Sequence, residues 1–314
     1  MSKNKRILVT GASGMVGKVL VKRLTSLGFK NILKTPSSSK LDLKDSKQVN
    51  DYFEKYKPRF VYHLAAKVGG IQSNIDNPVE YLLDNALMNC NVLKACSEHN
   101  VEKVLYLGSS CIYPTKCKQP MKEEYLLSGK LEPTNEGYAL SKIMGLKLAE
   151  YYCKQYGLKS ICLMPPNLYH EDKVSNKSSH VFEDLIKRIY EAKYYNLSEM
   201  PVWGNGKAKR EFMHVNDLVD GMLYFMDCFF DDYDFPSFIN IGVGKDYSIK
   251  KLVKMICKEA GYKGKIIWDK SKPNGMKRKC MDVTRMKKLG FTPKIKIDEG
   301  IKLSINKLSK RGGE

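Results

Sequence analysis

A strand-like run that ends in three evenly spaced glycines constrains the fold of this chain more than any other feature. Residues 6–10 are mostly aliphatic, and Gly11, Gly14 and Gly17 follow them at the start of a helical pattern over residues 15–27. In this order the first glycine permits a tight turn, the second lets a pyrophosphate approach the backbone, and the third lets helix pack closely on strand. Free N–H groups at the helix start bind phosphates. The pattern predicts the first unit of a Rossmann-type doubly wound parallel sheet.

The rest of the chain continues the alternation of apolar runs and helical patterns, which predicts an α/β protein. His63 sits inside one apolar run, so we interpret it as a packed core residue rather than a catalyst. Candidate strands lie at residues 31–34, 60–64, 104–108, 161–165 and 238–242, and a long helical stretch lies at 79–99.

The length of 314 residues is sufficient for two lobes. We expect residues 1–168 to form a dinucleotide-binding Rossmann domain and residues 169–314 to form a smaller α/β substrate lobe. Parts of 214–244, a helix and a strand, are expected to rejoin the first domain. The boundary between the two domains is therefore not at a single position in the sequence.

The end of the second predicted strand favours NADP(H) over NAD(H). No Asp or Glu lies directly after residues 31–34, at the end of the strand. A carboxylate at that position would bind the ribose 2′-hydroxyl and repel an additional phosphate. Lys34, Ser37 and Ser38 offer a positive charge and hydroxyl groups instead. We therefore predict NADP(H) as the cofactor.

Tyr138 and Lys142 are the candidate proton-transfer pair. Residues four apart on a helix share one face, so the phenol and the ammonium would project side by side. A neighbouring cation favours the phenolate, so we expect Lys142 to lower the pKa of Tyr138. The strand at 104–108 ends just before Ser109, at the sheet edge where α/β proteins bind ligands.

Charge and cysteine content exclude several other classes. The net charge of +20 comes from lysines spread along the chain without a nucleic-acid-binding motif, so we interpret it as a solvated surface and expect no nucleic-acid partner. No apolar run reaches the length of a membrane span. The nine cysteines form no C-x-x-C pair and no cluster with His at ligand spacing. We expect reduced thiols, no metal and a cytoplasmic location.

Six blocks of the sequence, in order, resemble the GDP-L-fucose synthases of the extended short-chain dehydrogenase/reductases. The resemblance covers residues 5–305, and its most specific parts are the Ser-Ser-Cys-Ile-Tyr-Pro and Pro-Thr-Asn-Glu blocks. The six blocks are residues 11–17, 66–71, 108–114, 131–136, 138–142 and 210–212.

The resemblance implies a reaction and a role for each catalytic residue. Members epimerise C3 and C5 of GDP-4-keto-6-deoxymannose and then reduce C4 with NADPH. Ser109 would hydrogen-bond the C4 carbonyl oxygen, Tyr138 would protonate it, and Lys142 would hold the nicotinamide ribose. Cys111 and His180 would be the acid and base that exchange protons at C3 and C5.

The resemblance also implies two binding sets, a nucleotide-sugar-binding lobe at 169–314 and a homodimer that pairs the long helices. The cofactor set is Gly11, Ser13, Gly14, Met15, Val16, Lys34, Ser37, Ala65, Ala66, Lys67, Tyr138, Lys142, Pro165, Asn167, Leu168 and His180. The set for the GDP-linked 4-keto-6-deoxy sugar is Ser109, Ser110, Cys111, Asn167, Trp203, Arg210 and Lys279.

Departures from the family pattern leave two alternatives open. Tyr169 is followed by His170, Glu171 and Asp172 where the family continues with Gly-Pro, near the expected position of the sugar ring. One alternative is a C4 reductase of a GDP-4-keto-6-deoxy-heptose that performs no epimerisation, with Cys111 and His180 retained but inactive. The other is a non-catalytic NADP-binding scaffold on the same fold.

Overall fold

The computed structural model of this protein describes residues 1–173, 181–228, 236–271 and 276–311. Six of the described strands pair in parallel to form one sheet. They are β1 (Ile7–Thr10), β2 (Ile32–Lys34), β3 (Phe60–His63), β4 (Lys103–Leu107), β5 (Ser160–Met164) and β9 (Phe238–Asn240). Their order across the sheet is β2–β1–β3–β4–β5–β9. The order in which strands are added reverses between β1 and β3, because β2 lies on one side of β1 and β3 on the other. This is the switch point of a doubly wound sheet, and the predicted fold class is confirmed.

Helices cover both faces of this sheet because the strands between them are apolar on both sides. β1, β3 and β4 are buried along their whole length. Helices α4 and α5 pack against each other on one face, while α1 and α7 contact each other on the opposite one. The helices around the large sheet are α1 (Met15–Ser26), α2 (Ser46–Tyr56), α3 (Ile71–Asp76), α4 (Pro78–Glu98), α5 (Glu136–Tyr156) and α7 (Val215–Asp227).

A second hydrophobic core lies outside the large sheet. It is built mainly from the buried faces of three helices and from strands of two small sheets, with Tyr169, Phe182 and Phe212 among its aromatic members. Its elements are β6 (Asn167–Tyr169), α6 (Val181–Tyr194), β7 (Glu199–Trp203), β8 (Lys209–His214), β10 (Asp246–Ser248), α8 (Ile249–Ala260), β11 (Lys265–Asp269) and α10 (Ile297–Arg311). The short strand β12 (Arg278–Lys279) is added at the edge of β8. Helix α9 (Thr284–Lys288) instead contributes Met286 to the core of the large sheet. In these sheets β8 pairs with β6, β10 and β12, and β7 pairs with β11.

The two cores are joined by segments that return from the second half of the chain. α7 and β9 both contribute buried residues to the core of the large sheet, and β9 pairs with β5. The buried carboxylate of Glu211 on β8 accepts hydrogen bonds from the backbone N–H groups of Val243, Gly244 and Met281 at 2.6, 2.8 and 2.6 Å. These bonds attach the loop after β9 and the segment after β12 to β8. In the part of the chain that is described, no helix is long and apolar enough to cross a membrane.

Candidate active site

A cleft of about 740 Å³ opens at the carboxyl ends of β1, β3, β4 and β5. Its size is typical of a small-molecule site, and its position is where open α/β sheets bind ligands. Of the predicted catalytic residues, Ser109, Cys111, Tyr138 and Lys142 all line it. His180 lies outside the described residues.

The glycine loop forms one end of the cleft. Gly11 adopts φ +67°, the left-handed region that favours glycine, and its carbonyl accepts the Gly14 N–H at 3.0 Å. A Cβ on Gly17 would lie 2.2 Å from the Gly11 oxygen, so helix and loop can approach only at a glycine. Helix α1 begins at Met15, and its first residues line the cleft beside Ser13. This cradle fits the phosphates of a dinucleotide.

The segment after β2 does not place Lys34 in the cleft. Lys34 is exposed and lies beside Lys18 and Lys22 in a separate depression along α1. Ser37, which was predicted with it, does line the cleft. So does Lys44, whose ammonium lies 3.5 Å from the Asp84 carboxylate. Sequence reasoning missed Lys44 because nothing in the local pattern distinguishes it among 54 basic residues.

Ser109 and Cys111 are held by a short 3-10 helix at the end of β4. Ser109 caps this helix, Ser110–Ile112, and its Oγ accepts the Cys111 N–H at 3.2 Å. Both side chains therefore face the cleft. Ser110, a predicted substrate contact, is instead buried and does not line the cleft, and its N–H donates to the Pro165 carbonyl at 3.0 Å.

Tyr138 and Lys142 lie on one face of α5, as their spacing predicts. The Lys142 ammonium lies 5.8 Å from the centre of the Tyr138 ring and donates to the Leu107 carbonyl at 2.9 Å. Removal from water lowers the pKa of Lys142 to about 8, while Cys111 acts in the opposite direction.

The expectation of a lowered pKa for Tyr138 is wrong, because burial exceeds the influence of the neighbouring Lys142 charge. The pKa of Tyr138 is raised, first because the phenol is removed from water and then because of the nearby Cys111, and a hydrogen bond with Ser109 offsets only part of this rise. Tyr138 is therefore protonated at neutral pH, which is the form that a proton donor needs.

Lys279 lies against Cys111 rather than in solvent. Its ammonium is 3.5 Å from the Cys111 sulfur, and the Asn135 amide donates to the same sulfur at 3.3 Å. Removal from water alone would raise the pKa of the thiol. The Lys279 charge and the hydrogen bonds of Ser109, Lys279 and Asn135 outweigh this effect, so the pKa of Cys111 is lowered.

A chain of buried hydrogen bonds supports the helix that carries Lys142. The Thr10 hydroxyl accepts the N–H groups of Leu64 and Ala65, so its own proton goes to Nδ1 of His63 at 2.8 Å. His63 Nε2 then donates to Asn89 Oδ1 at 3.1 Å. His63 is a core residue, as predicted, but sequence reasoning missed its place in this chain of bonds.

Asn89 continues the chain of bonds to α5. Its amide donates to the Tyr106 hydroxyl at 3.2 Å and to the Ser141 carbonyl at 3.0 Å. The Tyr106 hydroxyl in turn donates to the Lys142 carbonyl at 3.4 Å. The glycine-loop strand and the catalytic helix are thus fixed to each other by neutral, directional bonds.

The remaining predicted site residues fall into two groups. The first group consists of predicted cofactor contacts that do line the cleft, namely Ala65, Ala66, Lys67, Pro165, Asn167 and Leu168. Trp203 and Arg210 do not line it. Trp203 is 65% exposed at the end of β7, and Arg210 donates to the carbonyls of Lys209 and Met276 at 2.8 and 2.5 Å. Across the described ranges, no group of His, Cys, Asp and Glu side chains is arranged to hold a metal ion.

Comparisons with known proteins match this geometry. The profile of the NAD dependent epimerase/dehydratase family matches residues 7–242. The chain is 43% identical to the GDP-L-colitose synthase of Yersinia pseudotuberculosis over 298 residues, which cover 94% of this chain and 95% of that protein. It is 41% identical to the GDP-L-fucose synthase of Escherichia coli strain K12 over 308 residues, with coverage of 96% and 95%.

A solved structure is similar over nearly the whole length. The GDP-mannoheptose C4 reductase MlghC from Campylobacter jejuni, solved with NADP bound, superposes with a TM-score of 0.90 at 32% sequence identity. The match covers 98% of this chain and 99% of that one.

Proposed function

Because the chain belongs to the NAD dependent epimerase/dehydratase family, we propose that it reduces the C4 ketone of a GDP-linked 4-keto-6-deoxy sugar with NADPH and epimerises C3 and C5 of that sugar. One observation carries this proposal: Ser109, Tyr138, Lys142 and Cys111 line a single cleft together with the glycine loop. The likeness to the GDP-L-fucose synthase of Escherichia coli supports a GDP-linked sugar as the substrate class.

The residues that line the cleft suit NADP(H). The glycine loop and the start of α1 would hold the pyrophosphate, Ser37 and Lys44 would face the adenosine ribose with its 2′-phosphate, and Lys142 would face the nicotinamide ribose. MlghC, which is similar over nearly the whole chain, contains NADP. When bound, NADPH supplies the hydride for the reduction of C4.

The reduction uses the chain's own hydroxyl and phenol. Ser109 donates a hydrogen bond to the C4 carbonyl oxygen and polarises the ketone. Tyr138 transfers its proton to that oxygen, and the positive charge of Lys142 stabilises the phenolate that remains. The raised pKa of Tyr138 keeps the proton available until the ketone accepts it.

The epimerisation uses the acidity of the carbons beside the same ketone. Polarisation by Ser109 and Tyr138 makes the hydrogens on C3 and C5 acidic. Cys111, on one side of the cleft, exchanges a proton with the ring, and by family resemblance His180 serves the other face. The lowered pKa of Cys111 suits it to this exchange near neutral pH.

The direct test is product analysis with a panel of GDP-4-keto-6-deoxy hexoses and heptoses in deuterated water. NADPH oxidation with a hexose, together with deuterium at C3 or C5 that is lost in Cys111→Ser, is the expected result. An unlabelled ring in the wild type contradicts epimerisation. Absence of turnover with every sugar, despite tight NADPH binding, would identify a cofactor-binding scaffold instead.

Two observations favour one second candidate, a C4 reductase of a GDP-4-keto-6-deoxy-heptose that does not epimerise. MlghC is named as a GDP-mannoheptose C4 reductase and is similar over the whole fold. In this chain the segment after β6 also carries a charged cluster, in which Glu171 accepts from the His214 ring at 2.9 Å. The panel distinguishes the two candidates, because the heptose reductase turns over a heptose and leaves C3 and C5 unlabelled.

We further propose a cytoplasmic homodimer. Val79, Leu83 and Leu87 on α4 and Leu140 on α5 are exposed by 65, 52, 37 and 41%. Exposed apolar side chains concentrated on two packed helices are typical of a subunit interface. A C2 dimer would bury this face against its copy in a four-helix arrangement. The scattered cysteines suit a reducing compartment.

A further inference from the structure

The Cys111 sulfur receives donors from two distant parts of the chain. Asn135 lies 24 residues away and donates at 3.3 Å, and Lys279 lies 168 residues away and donates at 3.5 Å. Hydrogen bonds to sulfur are longer than those to oxygen, so both distances are within hydrogen-bonding range. Lys279 carries a full positive charge, which makes it the stronger influence on a thiolate.

Lys279 is fixed in this position by backbone bonds on both sides. It lies on β12, where it pairs with Arg210 of β8. The next N–H, of Cys280, donates to the Gln119 side chain at 2.9 Å, and the Met281 N–H donates to the buried Glu211 carboxylate at 2.6 Å. A long lysine side chain has considerable rotamer freedom, but its backbone origin cannot move away from the cleft without breaking these bonds.

Other titratable groups also face Cys111, and they come from different elements. Tyr138 and Lys142 on α5 both interact electrostatically with it, and Ser109 bonds its backbone N–H. The Lys142 ammonium donates its hydrogen bond to the Leu107 carbonyl, at 2.9 Å. Among the described groups that face the thiol, Lys279 is therefore the cation whose ammonium contacts the sulfur directly.

We propose that Lys279 is a positioning residue that favours the ionised form of Cys111 for proton exchange at the sugar ring. This inference rests on the proposed function, because it assigns the source of the reactive form of Cys111. The thiolate takes a proton from the carbon beside the ketone: the C–H bond breaks, an S–H bond forms, and the electron pair moves to the C4 oxygen. In this role Lys279 provides positive charge rather than a proton.

A diphosphate-binding role, which the family resemblance implies for Lys279, makes a different prediction. A residue that only binds the nucleotide would change the KM for the GDP-sugar and leave the thiol unaffected. A residue that sets the ionisation of Cys111 changes the reactivity of that thiol even when no sugar nucleotide is present. The two roles are therefore separable in the protein without substrate.

The experiment measures the rate of Cys111 alkylation by iodoacetamide as a function of pH in the full chain, with the modified peptide quantified by mass spectrometry. The variants are Lys279→Met, Lys279→Arg and, as a matched control, Lys277→Met, which removes a charge from an exposed side chain of the same segment. In Lys279→Met the alkylation rate at neutral pH should fall about fivefold or more, because the thiolate fraction falls. Lys279→Arg and Lys277→Met should keep the wild-type curve.

The wild-type protein supplies an independent check. In the same buffers Cys111 should reach half of its maximal alkylation rate at a lower pH than the thiol of N-acetylcysteine amide, a small-molecule reference. The inference is overturned if Cys111 reacts at the same pH as that reference thiol or above it, or if Lys279→Met leaves the Cys111 curve unchanged. Absence of NADPH oxidation with any 4-keto sugar would remove the proposed function but leave this ionisation result intact, so the two failures are distinguishable.

Discussion

Tyr138 is the residue on which the proposed reduction depends. Replacing it with Phe removes the proton donor, and we expect the rate of NADPH oxidation with a 4-keto sugar to fall by about 10²–10⁴-fold. NADPH binding should persist, because the glycine loop and Lys142 are unchanged. Tyr156→Phe, at the exposed end of the same helix, is the matched control and should retain wild-type activity. Equal steady-state rates in Tyr138→Phe and the control would rule out this phenol as the donor.

Lys142 should impose an alkaline limit on the reaction. Its pKa of about 8 means that the ammonium is present below that pH and lost above it. Because the charge stabilises the phenolate of Tyr138, kcat/KM should fall as pH rises through about 8. Arg stays protonated over this range, so Lys142→Arg should have lower activity but no fall in kcat/KM near that pH. If the same fall persists in the Arg variant, the titrating group is not Lys142.

At the scale of elements, the features predictable from sequence were those whose partners are close in the chain. The loop of Gly11 and Gly17 and the pair of Tyr138 and Lys142 follow from turn chemistry and helical spacing. The contact of Lys279 with Cys111 depends on the pairing of a two-residue strand with β8, and no local pattern specifies such a pairing. The pKa of Tyr138 was mispredicted because burial, a tertiary effect, exceeds the influence of its helical neighbour.

The junction of β1 and α1 tolerates no side chain at position 17. In Gly17→Ala the added Cβ would lie 2.2 Å from the Gly11 oxygen and 2.7 Å from the Ala12 Cα, which forces the loop away from the helix. We expect a loss of about 1–3 kcal/mol in the free energy of unfolding and weaker NADPH binding, measured by urea unfolding and fluorescence titration. At Gly70 an added Cβ meets nothing within 4 Å, so Gly70→Ala should match the wild type. Equal NADPH affinity in the two variants would contradict this account.

The hydrogen-bond chain between β1 and α5 should make stability depend on pH. Burial lowers the pKa of His63 from 6.5 to about 3, and the charge of Lys142 adds to this effect. The unfolded chain protonates His63 below pH 6.5 while the folded protein keeps it neutral, so stability falls as pH decreases from 6.5. Between that value and about pH 5 the wild type should lose about 2 kcal/mol more than His63→Gln does. The free energies of unfolding are measured by urea unfolding at each pH. If they change equally with pH in the two proteins, His63 does not contribute to the pH dependence.

At the scale of the whole molecule, the exposed apolar face of α4 and α5 predicts the oligomeric state. Leu83→Asp places a charge in the proposed interface, so we expect monomers by analytical ultracentrifugation at concentrations where the wild type is a dimer. Leu127 is 61% exposed and lies outside these two helices, so Leu127→Asp should remain a dimer. A wild-type monomer, or dissociation by both substitutions alike, would contradict the proposed interface.

The return of β9 to the large sheet has a consequence for how the protein is made. On a ribosome the glycine loop, α5 and β5 emerge well before residues 238–240, which pair with β5 in the finished fold. Until then β5, which pairs with β4 on one side, has an open edge on the other, and open edges promote association between nascent chains. The large sheet is therefore complete only after the second half has been synthesised, and a chain truncated between the two would expose this edge and be prone to aggregation.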